Sequence, residues 1–380
     1  MNARGYVFGL VGLACSTSLF GCDDSEREPP PQYPAPLSGS GGSAATGACN
    51  GGSAGAPTGC TTDADPSPTP TAVTGPITRP FPSDGCGKVY PCSGRELRSL
   101  ATEGTKAANC AAEFNRLGTC GPWTAQRSFA VFLPQAYDNA RSIPYPLVIE
   151  APACGARAYD VDPFSDVRDT VVRVGIEPGI TNHAGCPEIG CFDDHEGDDS
   201  IDLVFFERLY DKLNAELCFD RNRVFVSGHA TGATLANELG GKYAGDSLRP
   251  VRGTLVYDGE LPAVQAYVPT FSEAPLAGLW FHEQDGAYTP FENAERAIGR
   301  AMLLAHCPGG DYQHAQLENW PVAGGAPDGT CQRIIGCDSL YPLAVCAPPH
   351  SAQGTYFIME QAFSTFIKLF SSGSYRAVPQ

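Results

Sequence analysis

Acyl transfer in water needs an exposed nucleophile, a histidine and a carboxylate. This chain carries a glycine-bounded turn, an acid and a histidine in that order. The turn lies in Val224-Phe225-Val226-Ser227-Gly228-His229-Ala230-Thr231-Gly232-Ala233. A β-rich run enters it, and a helix with small residues on its packing side leaves it. Such a strand-turn-helix frame projects its central residue into open space, where a serine attacks a carbonyl. Here the central residue is Ala230. Asp285 follows the apolar run that ends at His282, and His350 follows another that ends near Cys346, just before the last helix. In such a relay the carboxylate fixes the imidazole tautomer and the imidazole accepts the nucleophile's proton. A methyl group has no proton to give and cannot attack. Losing the serine of such a unit removes on the order of a million-fold in turnover, and what survives, roughly a thousand-fold over water, comes from binding and oxyanion donors.

Each residue has a plainer reading. Two glycines four positions apart also describe an ordinary strand-to-helix turn. Thr231 carries a hydroxyl, but it is expected to begin the helix and point away from His350; Ser227, at the strand end, reads as a structural hydroxyl. Asp258, after the run Thr254–Tyr257, is a rival acid to Asp285, and His350 follows Pro348-Pro349 as a surface histidine would. His229 and His282 read as packing or loop-bridging residues. The run Asp193-Asp194-His195-Glu196-Gly197-Asp198-Asp199 offers the clustered carboxylates that hard cations prefer, without the spacing of a calcium loop. A solvated loop with Asp198 or Asp199 near a helix N-terminus accounts for it equally. Neither a metal nor a cofactor is expected.

The elements that must hold these residues are short apolar runs alternating with helical stretches. Strands are expected over Phe129–Leu133, Leu147–Glu150, Val171–Val174, Val224–Ser227, Thr254–Tyr257, Leu279–His282 and Leu343–Cys346. Helices are expected over Ile201–Leu217, Thr231–Tyr243, Phe291–His306 and Gln361–Phe370. Several strands are continuously apolar, as strands covered on both faces must be. The alternation predicts an α/β fold with a doubly wound, mostly parallel sheet, and catalytic groups at the carboxyl ends of its strands.

Forty-two acidic against 25 basic residues give a net charge of −17, which repels phosphate backbones and argues against nucleic acid as a partner. Sixteen cysteines, with no C-x-x-C pair or zinc spacing, read as disulfides in an exported protein. Close spacing points to Cys49/Cys60, Cys86/Cys92, Cys110/Cys120, Cys186/Cys191 and Cys331/Cys337, although spacing does not define connectivity. Export agrees with Arg4 preceding an apolar run from Tyr6 to Phe20, too short for a permanent span. The run ends Leu19-Phe20-Gly21-Cys22, which resembles a bacterial lipobox and implies lipidation at Cys22, anchoring to the bacterial membrane, and exposure to the periplasm or cell exterior. Phe20 departs from the small residue usual there, and plain secretion is the other reading. The expected order is a signal peptide over 1–21, a Gly/Pro/Ser-rich flexible tether over 22–80, a cysteine-rich, disulfide-stapled subregion over 81–126 and the α/β domain over 127–375.

The residues from 127 to about 370 resemble the secreted poly(3-hydroxybutyrate) depolymerases and feruloyl esterases of the α/β-hydrolase superfamily. The markers are Phe129-Ala130-Val131-Phe132-Leu133-Pro134 with Tyr137, Tyr145-Pro146-Leu147-Val148-Ile149 and Asp202-Leu203-Val204-Phe205-Phe206. Glu216-Leu217-Cys218-Phe219-Asp220 leading into Arg223-Val224-Phe225, and the helix from Phe291 to His306-Cys307, continue the match. The resemblance implies the α/β-hydrolase fold, a serine where Ala230 stands, Asp285 as acid and His350 as base. It further implies an oxyanion hole from the N–H groups of Thr231 and of Ala153, Cys154 and Gly155, with His229 beside it. That loop, Glu150-Ala151-Pro152-Ala153-Cys154-Gly155-Ala156, departs from the family's His-Gly-x-Gly pattern, and Pro152 has no donor. The expectation is an exported lipoprotein that binds an ester, polyester or aromatic acyl ligand with impaired turnover. An ester hydrolase with another nucleophile and a non-catalytic envelope scaffold are the competing expectations.

Overall fold

The computed structural model describes residues 68–74, 78–90, 96–105, 122–135, 137–138, 144–158, 165–179, 191–192, 200–261, 270–283, 291–320, 330–348 and 355–370. The chain divides into Met1–Gly52 and Ser53–Gln380, and every described residue belongs to the second unit.

The strands are β1 (Glu96–Thr105), β2 (Pro122–Phe132), β3 (Tyr145–Ala151), β4 (Val172–Ile176), β5 (Phe219–His229), β6 (Gly253–Tyr257), β7 (Ala277–Phe281), β8 (Leu317–Asn319), β9 (Cys331–Ile334) and β10 (Leu343–Cys346). The helices are α1 (Ile201–Glu216), α2 (Thr231–Tyr243), α3 (Phe291–Leu304) and α4 (Thr355–Lys368). One sheet holds all ten strands in the order β1-β2-β4-β3-β5-β6-β7-β10-β9-β8. Its centre, β4-β3-β5-β6-β7-β10, is parallel, and both flanks are antiparallel. Each predicted strand lies within or against an observed one. The last helix begins earlier than predicted, at Thr355.

Alternation along β5 shows why the central runs are continuously apolar. Val224 and Val226 join a core with Leu209, Leu235 and Ile298 from α1, α2 and α3, whereas Phe225 joins Phe363, Phe366 and Ile367 of α4 on the opposite face. Strand β5 thus feeds two cores, as β3, β6, β7 and β10 also do, which is why these runs lack the regular polar alternation of a strand covered on one face. Helix α1 starts where the sequence places it because the Ser200 hydroxyl accepts from the Asp202 N–H at 3.2 Å, satisfying one of the donors a helix leaves open.

Two expectations change. Residues assigned to the flexible tether are docked on the domain: Val73 N–H donates to Ser247 O at 2.6 Å and Asn222 Nδ2 to Arg79 O at 2.6 Å. The reason is Arg221, a fully buried side chain whose guanidinium needs acceptors and takes Ser247 O at 3.5 Å and Thr71 O. Any tether therefore ends before about residue 70.

The short-range disulfides also give way. Cys86 pairs with Cys218, Cys154 with Cys191, Cys307 with Cys337 and Cys331 with Cys346, replacing Cys86/Cys92, Cys186/Cys191 and Cys331/Cys337. Cys331 and Cys346 stand directly opposite each other in the β9–β10 ladder, a proximity set by sheet register rather than by spacing. Cys49/Cys60 and Cys110/Cys120 lie outside the described residues.

Candidate functional site

Strand β5 carries the chain to His229, and α2 begins two residues later. The reversal is completed within Ala230, at φ 52° and ψ −119°. This positive φ is one that a residue with a Cβ adopts only under constraint. The constraint comes from both sides: Ala230 N–H donates to Tyr257 O at 3.0 Å, while Ala230 O accepts from Ala233 N–H at 2.9 Å and Thr234 N–H at 3.0 Å. Glycine is required at both ends of the turn by space. A Cβ on Gly228 would lie 2.1 Å from Gly232 O, and one on Gly232 would enter the Ala151 and Pro152 carbonyls. The backbone therefore has the geometry of a nucleophile elbow, with a methyl group at its apex and no side-chain cap on α2.

The loop after β3 lies against this elbow. A turn closes with Ala156 N–H donating to Ala153 O at 3.2 Å, with Gly155 at φ 75°. The Cys154 sulfur is 3.3 Å from the Thr231 hydroxyl oxygen and is bonded to Cys191. The N–H groups of Cys154 and Gly155 have no backbone acceptor among the described residues, and the first N–H groups of α2 have none within the helix. The loop after β3 and the first turn of α2 thus lie side by side next to Ala230. Cys154 has no free thiol, Thr231 places its hydroxyl on the disulfide, and Ser227 is buried at 2% exposure. None of the three offers a ready nucleophile.

Strand register aligns the neighbouring residues. Gly228, Val256, Trp280 and Val345 lie in one row, and His229 pairs with Tyr257, Tyr257 with Phe281, and Phe281 with Cys346. One step further, Ala230, Asp258, His282 and Ala347 line the carboxyl edge. The His229 ring stacks on Tyr257 with centroids 4.6 Å apart and planes 10° apart; burial lowers its pKa, and the Glu283 charge opposes that shift. The Tyr257 hydroxyl donates to Glu283 Oε1 at 3.2 Å, Glu283 N–H donates to Asp258 Oδ1 at 3.2 Å, and His282 Nδ1 lies 3.5 Å from the same oxygen. Asp258 is therefore tied to its neighbours across the strand ends, and His229 packs its ring on Tyr257. Sequence reasoning missed Tyr257 and Glu283. Their signal is positional: one ends β6, and the other follows the histidine that leaves β7.

Asp285, His350, Cys22 and the acidic run 193–199 lie outside the described residues. The strands before the first two, β7 and β10, are parallel neighbours ending at Phe281 and Cys346. Beside that end of β10 is a cleft of about 310 Å³ lined by Phe291, Glu292, Tyr312, Thr330, Gln332, Val345 and Ala347. It is three strands from the elbow, roughly 14 Å along the edge at sheet spacing.

The parallel centre, the helices on both faces and the elbow after the central strand define an α/β-hydrolase fold, with four disulfides among the described residues. Among solved structures the chain is similar to a carboxylesterase of Bacillus cereus, at 12% identity and TM-score 0.41 over 64% of this chain and 94% of that one. An S-formylglutathione hydrolase of Agrobacterium tumefaciens is similar at 11% identity and TM-score 0.42, over 72% and 94% of the two chains. An acylaminoacyl peptidase of Pyrococcus horikoshii is similar at 10% identity and TM-score 0.43, over 76% and 43%. No sequence-family model and no curated protein matches the chain. The fold assignment rests on strand order and elbow geometry.

Proposed function

We propose that this chain is an exported ester-hydrolase-type protein that binds an ester, polyester or aromatic acyl ligand at its elbow and turns it over poorly or not at all. The observation that carries this is Ala230 itself: its backbone holds the conformation of an elbow apex while its side chain ends in carbon. The 153–155 loop packed against the start of α2, with the Cys154 and Gly155 N–H groups free of backbone acceptors among the described residues, supports retained ligand binding. Asp285 and His350 are the proposed acid and base, in the order that the family resemblance implies. Four disulfides support an oxidising compartment, and lipidation at Cys22 is proposed to anchor the chain to the membrane.

The test is hydrolysis of p-nitrophenyl acetate and butyrate by the native chain beside Ala230→Ser. The native chain is expected to show no burst and negligible turnover, and Ala230→Ser to gain activity that Asp285→Ala or His350→Ala removes. Turnover by the native chain that either of those substitutions abolishes would overturn the reading and point to another nucleophile. Retention of the native chain on insoluble polyester granules separates a polymer binder from an envelope scaffold.

A further inference from the structure

We infer that the Cys154–Cys191 disulfide is the positioning element of the loop donors at the elbow, and that a dithiol reductant, by opening it, releases them. The inference rests on the ester-binding reading of that site. Cys191 forms an isolated bridge with Gly179, just beyond β4, while Cys154 lies in the turn just beyond β3. The bond therefore ties the loop to the backbone beyond the neighbouring strand. It also sets the Cys154 sulfur against Thr231, the first residue of α2, at 3.3 Å. Within the loop the described backbone bond is the single turn contact from Ala156 to Ala153. Short loops with so few bonds of their own open at low free-energy cost, so the cross-link is what holds the 153–155 segment, and the N–H groups it carries, beside the start of α2.

Accessibility makes this bond a device rather than a staple. Cys154 is half-buried, whereas Cys307, Cys337, Cys331 and Cys346 are 9%, 7%, 1% and 0% exposed. Cys86–Cys218 also has a half-buried member, but Cys218 precedes β5 at the opposite end of that strand from Ala230. In the reaction one thiolate of the dithiol attacks the Cys154 sulfur, and Cys191 leaves as a thiolate that takes a proton. The second thiolate of the reductant then attacks its own sulfur in the mixed disulfide. Cys154 is released as a thiol, and the reductant, having given up two electrons, becomes a disulfide.

The experiment titrates the full-length Ala230→Ser chain with dithiothreitol. Differential alkylation and mass spectrometry locate the opened bonds, and amide hydrogen exchange is followed over residues 151–157. Opening of Cys154–Cys191 before the two bonds with both cysteines buried is expected, with exchange in the loop rising at least about tenfold while β5 stays protected. Hydrolysis of p-nitrophenyl butyrate should lose kcat on the order of a hundredfold, as when an oxyanion donor is removed, with KM little changed, and reoxidation should restore it. Cys154→Ser/Cys191→Ser should reproduce the loss and Cys86→Ser/Cys218→Ser should not. Unchanged exchange in 151–157 after that bond opens, or loss of kcat that follows Cys86–Cys218 instead, overturns the inference. If Ala230→Ser hydrolyses nothing in either redox state, the ester reading falls, and the exchange measurement on the folded chain still decides whether the bond holds the loop.

Discussion

Gly232 stands directly beneath Ala151. A Cβ at Gly232 would lie 2.0 Å from the Ala151 carbonyl oxygen and 2.5 Å from that of Pro152. Both obstacles are backbone, so no side chain can swing away, and either the loop or α2 must move. Gly232→Ala is expected to cost about 3 kcal/mol, the upper end of ordinary overpacking. It should also disorder the 152–156 loop. Urea unfolding with an unchanged slope gives the stability loss; a midpoint equal to the native one would mean that loop and helix are farther apart.

The strain at Ala230 is separable from that packing. With φ at 52° and ψ at −119°, its Cβ opposes the backbone conformation that the turn imposes. Ala230→Gly is expected to stabilise the chain by about 1 kcal/mol, because relief of the strained dihedrals exceeds the added freedom of the unfolded chain. Ala230→Ser, with the same Cβ, should be near neutral. Calorimetric melting of the three proteins checks this, and a Gly variant that melts below the native chain would contradict the strain.

The sheet centre and the elbow were legible from sequence because their determinants are local: continuous apolar runs, two glycines and a helix start. Strand β1 was not, and its burial explains why. Its inward residues Arg98, Leu100 and Thr102 are buried, while Leu97 is 52% exposed, so hydropathy reads nearly backwards along it. Arg98 is accommodated by Glu216 at 2.7 Å and by the Phe129 ring at 5.2 Å from its guanidinium carbon, partners that lie far away in the chain. Disulfides fail for the same reason. Cys154 and Cys191 are brought together by the neighbouring strands β3 and β4, a relation that no count of intervening residues contains. The His229–Tyr257 stack likewise depends on the β5–β6 register.

A second ion pair shows how buried charge is held near the start of α1. Arg127 and Asp202 are bonded, each with a side chain 2% exposed, and Arg127 lies over the Phe205 ring at 4.6 Å and donates to Glu177 O at 2.8 Å. Asp202→Ala strands a guanidinium in an apolar surround and is expected to cost roughly 3–5 kcal/mol. Replacing both partners, as Arg127→Met/Asp202→Leu, should recover most of the loss, since no charge then remains to be solvated. Urea midpoints for the two proteins decide it; a double variant as unstable as the single one would show that the pair does more than satisfy itself.

His229 gives the elbow a pH signature of definite sign. Its ring is stacked on Tyr257 and held neutral by burial, so its folded pKa lies below the ordinary value of 6.5 despite the Glu283 charge. Above 6.5 both folded and unfolded chains carry it neutral, and it adds no pH dependence. As pH falls through that value the unfolded chain takes up the proton first, so stability declines until pH passes the lower folded pKa, where the loss levels off. His229→Phe keeps an aromatic ring on Tyr257 and removes the titration. Between pH 7.5 and 5, roughly the window in which an ordinary histidine titrates, the native chain should lose more stability than the variant. Urea unfolding at both pH values measures the difference, and parallel losses in the two proteins would mean that the folded chain protonates His229 as readily as the unfolded one.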